Sequence, residues 1–566
     1  MKKRFSLRSY ITIFSIVLLF SMTGKLFSEG EEIADKLFTI PQTGNRLLPL
    51  IAAVGQSQDQ IRASIGIIVN QDFLDANNST ISNPGNYILS EDVDGQINIT
   101  TDNVWLDLNG YTIFGPIFDP GAANPFATVA AIDIAQYVAN VTIKNGYIEG
   151  TTDASANLLS IIGILANGNC NFIKIENVNI KNFQAGGIGT NLVSPIVVEA
   201  FSIRDCIIKN ENDVAPGNNG IGLNVCKACS IENCIIQNYE TGIRLGSSES
   251  CNTKNCIIEN CNTGVSSIQT LKSTFENIQV QNALDKGFES LDCQECCFYS
   301  CKALGVNGEN ALGFADTNQS SNNTYKGCVA KSITGSATAI GFGIFGFDKR
   351  DINLINCIAS EIYAPEADGI KLEGASEDKI TFTRAKGVKI VDCIVKSIGS
   401  NEEDAIVAIT ARGILLSGAT QCALENNNIG IIDATTNAHG IKLEVAGFTS
   451  PLDATSNSNI IKYNNIYEVF KDDPSLFGNG IFIEENCVEN RIELNQITNT
   501  GTGINTQEDE SNNLIVKNSS YNNPCNFNNI TNKYNGRGTF DPQKPNDNIY
   551  FDLNGGMATT EPTTCT

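Results

Sequence analysis

Between Gly220 and Val265 the chain repeats itself. The segment reads GIGLNVCKACSIENCIIQNYET, then GIRLGSSESCNTKNCIIENCNT, then GV. Gly220, Gly242 and Gly264 are 22 residues apart, and the pairs Cys229/Cys251 and Cys234/Cys256 keep that interval. A strict period of this length implies a stack of equal units, none of which can close a core alone. Such a unit is too short for a strand–helix–strand motif, which needs about 30 residues or more. It suffices for three short strands joined by tight turns. Asn and Gly tolerate the left-handed backbone that such turns require. Stacked coils would pair as parallel strands about 4.8 Å apart around a continuous apolar column.

The pattern extends well beyond this stretch. A glycine followed by an apolar residue recurs at Gly163, Gly187, Gly287, Gly313, Gly343, Gly369, Gly413, Gly440, Gly480 and Gly503. A second signal lies between these glycines: Asn or Asp, then Cys, then two apolar residues. It appears at Asp205-Cys206-Ile207-Ile208, Asn233-Cys234, Asn255-Cys256, Asn356-Cys357 and Asp392-Cys393, and weakens to Asn428-Ile429 and Asn465-Ile466. Short apolar runs separated by Asn-Gly and Asp-Gly turns begin at Gly85.

These boundaries predict four regions. Lys2, Lys3, Arg4 and Arg8 precede the apolar run Ile11–Phe20, a secretory signal pattern over residues 1–28. Residues 29–84 read as a leader or linker, partly helical because Ile61–Leu74 carries apolar residues at helical spacing. Residues 85–520 form the repeat, and 521–566 a terminal cap or tail.

The recurrent Asn-x-Ile-x-x-Asn-x-x-Gly-Ile pattern, with the opening Tyr87-Ile88-Leu89 through Leu106-Asp107-Leu108-Asn109-Gly110, resembles the right-handed parallel β-helix proteins of the pectin-lyase-like superfamily. The resemblance covers roughly Gly85–Asn518. It implies an all-β, single-stranded parallel β-helix, a solenoid. It is weak for function, since that superfamily includes polysaccharide lyases, hydrolases, epimerases, phage tailspikes and adhesins. Its enzymes keep their substrate cleft on the sheet equivalent to the Gly-Ile strands, which directs attention there.

Insertions point to the same strand. Asn238 to Gly242 and Asn260 to Gly264 are short steps, whereas Asn210 to Gly220, Ser397 to Gly413 and Glu468 to Gly480 are long. Further insertions follow the Gly-Ile strand, between Gly369 and Cys393 and between Gly440 and Asn465. Loops therefore flank that strand on both sides, and loops on a rigid scaffold tend to carry function. Aligned coils give three columns: Asp368/Arg412/His439/Asn479, Lys371/Leu415/Lys442/Phe482 and Glu373/Ser417/Glu444/Glu484. Glu444 and Glu484 would lie about 5 Å apart and Glu373 and Glu444 about 10 Å, bracketing the carboxylate spacings of retaining and inverting glycosidases. Arg412 or Lys442 would be the base of a β-elimination, and His439 is the one imidazole in the chain. The candidate catalytic residues are Arg412, His439, Glu444 and Glu484. The candidate ligand-binding residues are Asp368, Lys371, Glu373, Lys442 and Phe482. The simpler reading of the same columns is a solvated face on which Lys and Glu neutralise one another.

Acidic residues outnumber basic ones 62 to 38, a net charge of −24, so nucleic acid is a poor partner. Cys226-x-x-Cys229 and Cys293-x-x-Cys296 belong to the repeat and have no accompanying His, so zinc is not expected. The cysteines read either as buried small hydrophobes or as disulfides between coils, Cys229–Cys251 or Cys234–Cys256. The expectation is an exported monomer, secreted, periplasmic or on the cell surface, with no membrane span after signal removal. It would bind carbohydrate or a cell surface without a cofactor, Ca²⁺ being the one ion left open. The alternatives are a polysaccharide lyase or glycoside hydrolase on the same face, and a structural surface-layer component.

Overall fold

The computed structural model describes residues 66–115, 129–150, 161–183, 185–190, 197–211, 218–346, 350–376, 382–383, 385–401, 406–446, 455–471, 478–507, 513–521, 523 and 525–528. The signal pattern at 1–28, the leader up to residue 65 and the tail after Asn528 lie outside these residues. So do most of the insertion tips, at 212–217, 377–381, 402–405, 447–454 and 472–477.

One coil shows how the sequence makes the fold. Thr241–Gly246, Asn252–Lys254 and Ile257–Glu259 are its three strands. Each pairs in parallel with its counterpart in the next coil, Ile243 with Val265, Thr253 with Phe275 and Ile258 with Val280. Repeated along the chain, these pairings build three long parallel sheets, here called sheet I (the Gly-Ile strands), sheet II and sheet III. The chain is a right-handed parallel β-helix. Among the described strands one pairing is antiparallel, Ala375–Ser376 with Phe382–Thr383 in the loop after sheet I.

The stack is longer than the repeat alone implies. Ile67–Val69 already pairs with Tyr87–Leu89, and Cys525–Asn528 pairs with the strand Thr502–Thr506. Among the described residues the β-helix therefore already includes Ile67–Val69, before Gly85, and still includes Cys525–Asn528, past residue 520. Among the described residues of the expected leader, 66–84, the helix is a turn and a half, Gln71–Ala76, inside the first described coil. The Asn70 side chain caps it by accepting the Phe73 N–H at 2.9 Å, and Leu74 enters the core.

Between sheets II and III the chain turns through one left-handed residue, Asn233, Asn255 and Asn277 in successive coils with φ of 54°, 54° and 51°. Entry into the first strand after the long loops is set by glycine. A Cβ on Gly242 would sit 2.3 Å from Ile258 Cγ2 and 2.7 Å from the Gly264 carbonyl oxygen of the next coil. The sheet I strand thus approaches sheet III so closely that no side chain fits. In the following coils the same contact is made with Ala303, Ala330 and Ala359. The volume given up by those alanines is taken by two aromatic stacks. Phe275, Phe298 and Tyr325 stack at 4.6 and 4.7 Å, and Phe288, Phe314 and Phe342 at 4.6 and 4.7 Å. This also corrects the alignment: the column glycine of that coil is Gly341, followed by Phe342, and Gly343 belongs to the outward column of Lys371.

The cysteine column is a hydrogen-bonding column. Cys206, Cys234, Cys256, Cys357 and Cys393 are buried free thiols at the turn into sheet III. Cys234 donates to the Glu232 carbonyl at 3.2 Å. From Asn427 onward the position is asparagine, not a weakened Asn-Ile motif at Asn428. Asn427 Oδ1 accepts the Cys393 N–H at 2.9 Å, and the Asn427 N–H and Nδ2 both donate to Asn464 Oδ1. Asn495 and Asn518 continue the ladder. Cys229, Cys234, Cys251 and Cys256 are all unbridged, so the inter-coil disulfides do not form. Apart from Cys525, which is disulfide-bonded, the described cysteines are free, and of these only Cys297 is not buried. Burial pushes the Cys170, Cys422 and Cys487 thiols up to about 12, which keeps them unreactive.

Two substitution pairs test this packing by the midpoint of thermal unfolding. Gly242→Ala forces a methyl group into occupied space and should destabilise by about 1–3 kcal/mol. Gly189→Ala, whose nearest neighbour would be 3.7 Å away, should stay within about 0.5 kcal/mol. Asn464→Ala orphans the Asn427 N–H and the Leu424 carbonyl, at about 1–3 kcal/mol for each group. Cys234→Ala should be milder, because a thiol is a weak donor.

Candidate functional site

Sheet I brings the three predicted columns together in register. Asp368 pairs with Arg412, Arg412 with His439 and His439 with Asn479. Lys371, Leu415, Lys442 and Phe482 align likewise, as do Glu373, Ser417 and Glu444. Glu484 follows directly after its strand, where its carboxylate accepts the Val445 N–H at 3.0 Å.

The first column is buried, contrary to the expectation of a solvated strand. Asp368, Arg412, His439 and Asn479 are 1%, 6%, 5% and 7% exposed. In other coils the residue before the column glycine, such as Thr241 or Thr263, is only half-buried; here Asp368, Arg412, His439 and Asn479 lie in register in four successive coils and cover one another. Arg412 donates through Nε to Asp368 Oδ1 at 2.5 Å and through a terminal nitrogen to Asp368 Oδ2 at 3.0 Å. A terminal nitrogen also reaches Glu366. Burial pushes the Asp368 carboxyl up, with Arg412 pulling against it. Burial raises Glu366 as well, but there the Arg412 hydrogen bond and charge win and hold it below the usual range. Burial alone would lower the Arg412 pKa, but the two carboxylates raise it further. Such a guanidinium holds its protons and fixes geometry.

His439 stacks on Phe482, with ring centroids 4.9 Å apart and planes at 14°. Asn505 donates to Asn479 Oδ1 at 3.1 Å, so the Asn479 amide nitrogen faces His439 Nδ1 at 3.2 Å. Nδ1 is therefore an acceptor and the ring proton sits on Nε2.

In the outward columns Lys371, Glu373, Lys442, Glu444, Phe482 and Glu484 are half-buried, whereas Leu415 and Ser417 are buried. Lys371 binds Glu373 at 2.9 Å, and Lys442 binds Glu444 at 2.6 Å and Glu484 at 3.6 Å. For Lys371, burial lowers the pKa but Asp368 and Glu373 outweigh it and raise it. Each lysine also lies over an aromatic ring, Lys371 over Phe345 at 5.9 Å and Lys442 over Phe482 at 6.0 Å. Phe345 stands in the Glu373 column, one coil earlier. The sequence alignment missed it because Gly343 had been placed in the inner glycine column. Once Gly341 takes that place, Phe345 falls in line. Its ring folds over Gly343, where a Cβ would come within 2.2 Å of it. Glu366 and Asn505 were also missed, the first because it precedes the aligned segment and the second because its coil carries no charge there.

The face therefore has an aromatic ring at each end, about 19 Å apart over four coils. Between them five carboxylates, Glu366, Asp368, Glu373, Glu444 and Glu484, meet three cations, Arg412, Lys371 and Lys442. The charge balance favours ligands that are neutral or cationic. Among the described residues no group of three or more His, Cys, Asp or Glu is placed to hold a metal ion. No described helix is long and apolar enough to cross a membrane.

The Arg412 pair yields a pH prediction. The folded-state pKa of Glu366 lies below its unfolded value of about 4.3. Its contribution is therefore present above that value and lost as pH falls through the lower folded value. Glu366→Gln should lower the melting temperature at neutral pH and flatten its fall below about pH 4.5, so that variant and native chain converge in acid. Asp368→Ala, which leaves Arg412 buried with half its partners, should destabilise at neutral pH by about 3–5 kcal/mol.

A model of the right-handed β-helix region matches residues 196–358. No curated protein matches the sequence. Among solved structures the chain is similar to the A-module of Azotobacter vinelandii mannuronan C-5 epimerase AlgE4, at 12% identity over 63% of this chain and 89% of that one, TM-score 0.33. It is similar to a mutant tailspike protein of E. coli bacteriophage HK620 in complex with pentasaccharide, at 11% identity, 80% of this chain and 61% of that one, TM-score 0.34. It is also similar to a mutant DFA-IIIase from Arthrobacter chlorophenolicus A6 in complex with DFA-III, at 10% identity, 68% and 86%, TM-score 0.31.

Proposed function

We propose that this protein is exported and binds a neutral carbohydrate chain on a cell surface, along the sheet I face between Phe345 and Phe482. The observation that carries this reading is the pair of half-buried aromatic rings, each beside a lysine already neutralised by a carboxylate. Aromatic faces stack on the apolar faces of sugar rings, and the intervening carboxylates and ammonium groups offer acceptors and donors for hydroxyls. The excess of carboxylates argues for a neutral rather than an acidic chain. Export is supported by the basic and apolar pattern of residues 1–20.

A catalytic use of the same face, by hydrolysis or elimination, is favoured by one feature. Glu444 and Glu484 come from adjacent coils and share Lys442, about the spacing of a retaining pair. Arg412 is a poor base in such a scheme, since two carboxylates hold its charge.

A panel of neutral and acidic glycans, immobilised for binding and also incubated in solution, tests both uses. Binding should be confined to neutral chains and fall at least tenfold in Phe482→Ala and in Phe345→Ala, a loss of about 1.4 kcal/mol. Release of reducing or unsaturated ends that disappears in Glu444→Gln would establish turnover. Absence of any glycan binding, or binding indifferent to both aromatic substitutions, would contradict the proposal.

A further inference from the structure

Far from that face, near the start of the stack, sheet III and the turn leading into it enclose a cavity of ≈ 310 Å³. This is the lower end of the range of ligand pockets, about 300–1,000 Å³, and suits one ring rather than a chain. Tyr147, Asn179 and Ile207 form a single outward column there, one residue per coil. Tyr147 and Ile207 are 45% and 42% exposed, and the shorter Asn179 between them leaves a notch about 10 Å wide. Farther along, the same column is filled by Ile235 and Ile257, so the notch is confined to these coils. Gly146 permits it. A Cβ at that position would meet Leu108 Cβ at 2.3 Å and the Tyr111 carbonyl at 2.8 Å, so only glycine lets the Leu108–Tyr111 turn close one side.

The polar chemistry of the notch is one-sided. Asn145 donates to Asp107 at 3.2 Å, and Asn177 donates to Asn145 at 3.1 Å. The ladder should continue with an amide donating to Asn177 Oδ1. That position is Asp205, which has no N–H to give and itself accepts from Asn233 at 3.0 Å. In the adjacent column Asn179 Oδ1 is sheltered from solvent and accepts no hydrogen bond. Asp205 also accepts from Arg204 Nε at 3.4 Å, so the break in the ladder leaves Asn177 Oδ1 as the exposed acceptor lining the cavity, beside an exposed tyrosine ring and an isoleucine.

We infer that this notch is a second binding site, for a single neutral pyranose residue. A pyranose supplies hydroxyls that donate to Asn177 Oδ1 and to the Asp205 carboxylate, and an apolar ring face that stacks on Tyr147 in the space the short Asn179 leaves. The site does not rest on the proposed role of sheet I.

The test uses the full chain and three probes, methyl α-glucopyranoside, methyl β-galactopyranoside and N-acetylglucosamine. Binding is read by saturation-transfer NMR at about 10 mM probe, where a dissociation constant near 1 mM is readily detected. At least one probe should bind. Its affinity should drop at least tenfold in Tyr147→Ala and in Asn179→Leu, persist in Tyr147→Phe, and be unchanged in Phe482→Ala. Circular dichroism of the Tyr147→Ala protein checks that the fold is intact, which the exposure of that ring favours. Failure of all three probes to bind overturns the inference. So does binding that survives both notch substitutions, and so does binding lost in Phe482→Ala, which assigns the sugar to sheet I.

Discussion

The molecule depends on a contact that admits no side chain. At each sheet I strand a glycine lies against an aliphatic or alanine residue of sheet III in its own coil, and a methyl group would fall within 2.2–2.9 Å of it in the coils from Gly187 to Gly480. The residue before that glycine is half-buried in coils such as those of Thr241 and Thr263, and buried where Asp368, Arg412, His439 and Asn479 stack in four successive coils.

Packing inside the stack is a trade of volume between columns. Where sheet III offers Ala303, Ala330 and Ala359, stacked aromatic rings fill the lumen, and Phe275 extends one stack into the coil of Val280. Turn positions trade chemistry in the same way. Cysteine gives one weak donor and a compact apolar body, whereas asparagine satisfies the backbone of the coil before it and its own amide together. The change from thiols to amides after Cys393 therefore keeps the turn while making its hydrogen bonding denser.

Much of this could be read from the residues. The interval between Gly220, Gly242 and Gly264 gave the coil, and the columns through Lys371, Lys442 and Glu444 fell into register as aligned. The errors have physical causes. Gly341 and Gly343 are two residues apart and both precede apolar residues, so periodicity alone could not choose between them. Only the clash at Gly341 and the ring lying over Gly343 distinguish them. The first coil was missed because, although Gly66 precedes Ile67, the apolar residues of Ile61–Leu74 also fit helical spacing and no Asn-Cys signal follows them. Burial of the Asp368 column was invisible because the same position is half-buried in coils such as those of Thr241 and Thr263, and only the contacts among Asp368, Arg412, His439 and Asn479 cover it. The notch at Asn179 was missed for a related reason: an asparagine in an outward column looks ordinary until its neighbours prove to be large.

The central claim is that coils succeed one another at one strand spacing along a single axis. Glu199, Lys227, Glu249, Leu271, Gln294, Ser321 and Arg350 form one ladder, each paired with the next. Spin labels introduced through non-natural side chains, sparing the buried thiols, can be placed at Glu199 with Gln294 and at Glu199 with Arg350. The label separations measured by pulsed EPR should centre near 19 Å and 29 Å, four and six steps of about 4.8 Å. Distances that fail to grow with the number of coils between the labels would contradict the stack and the site built on it.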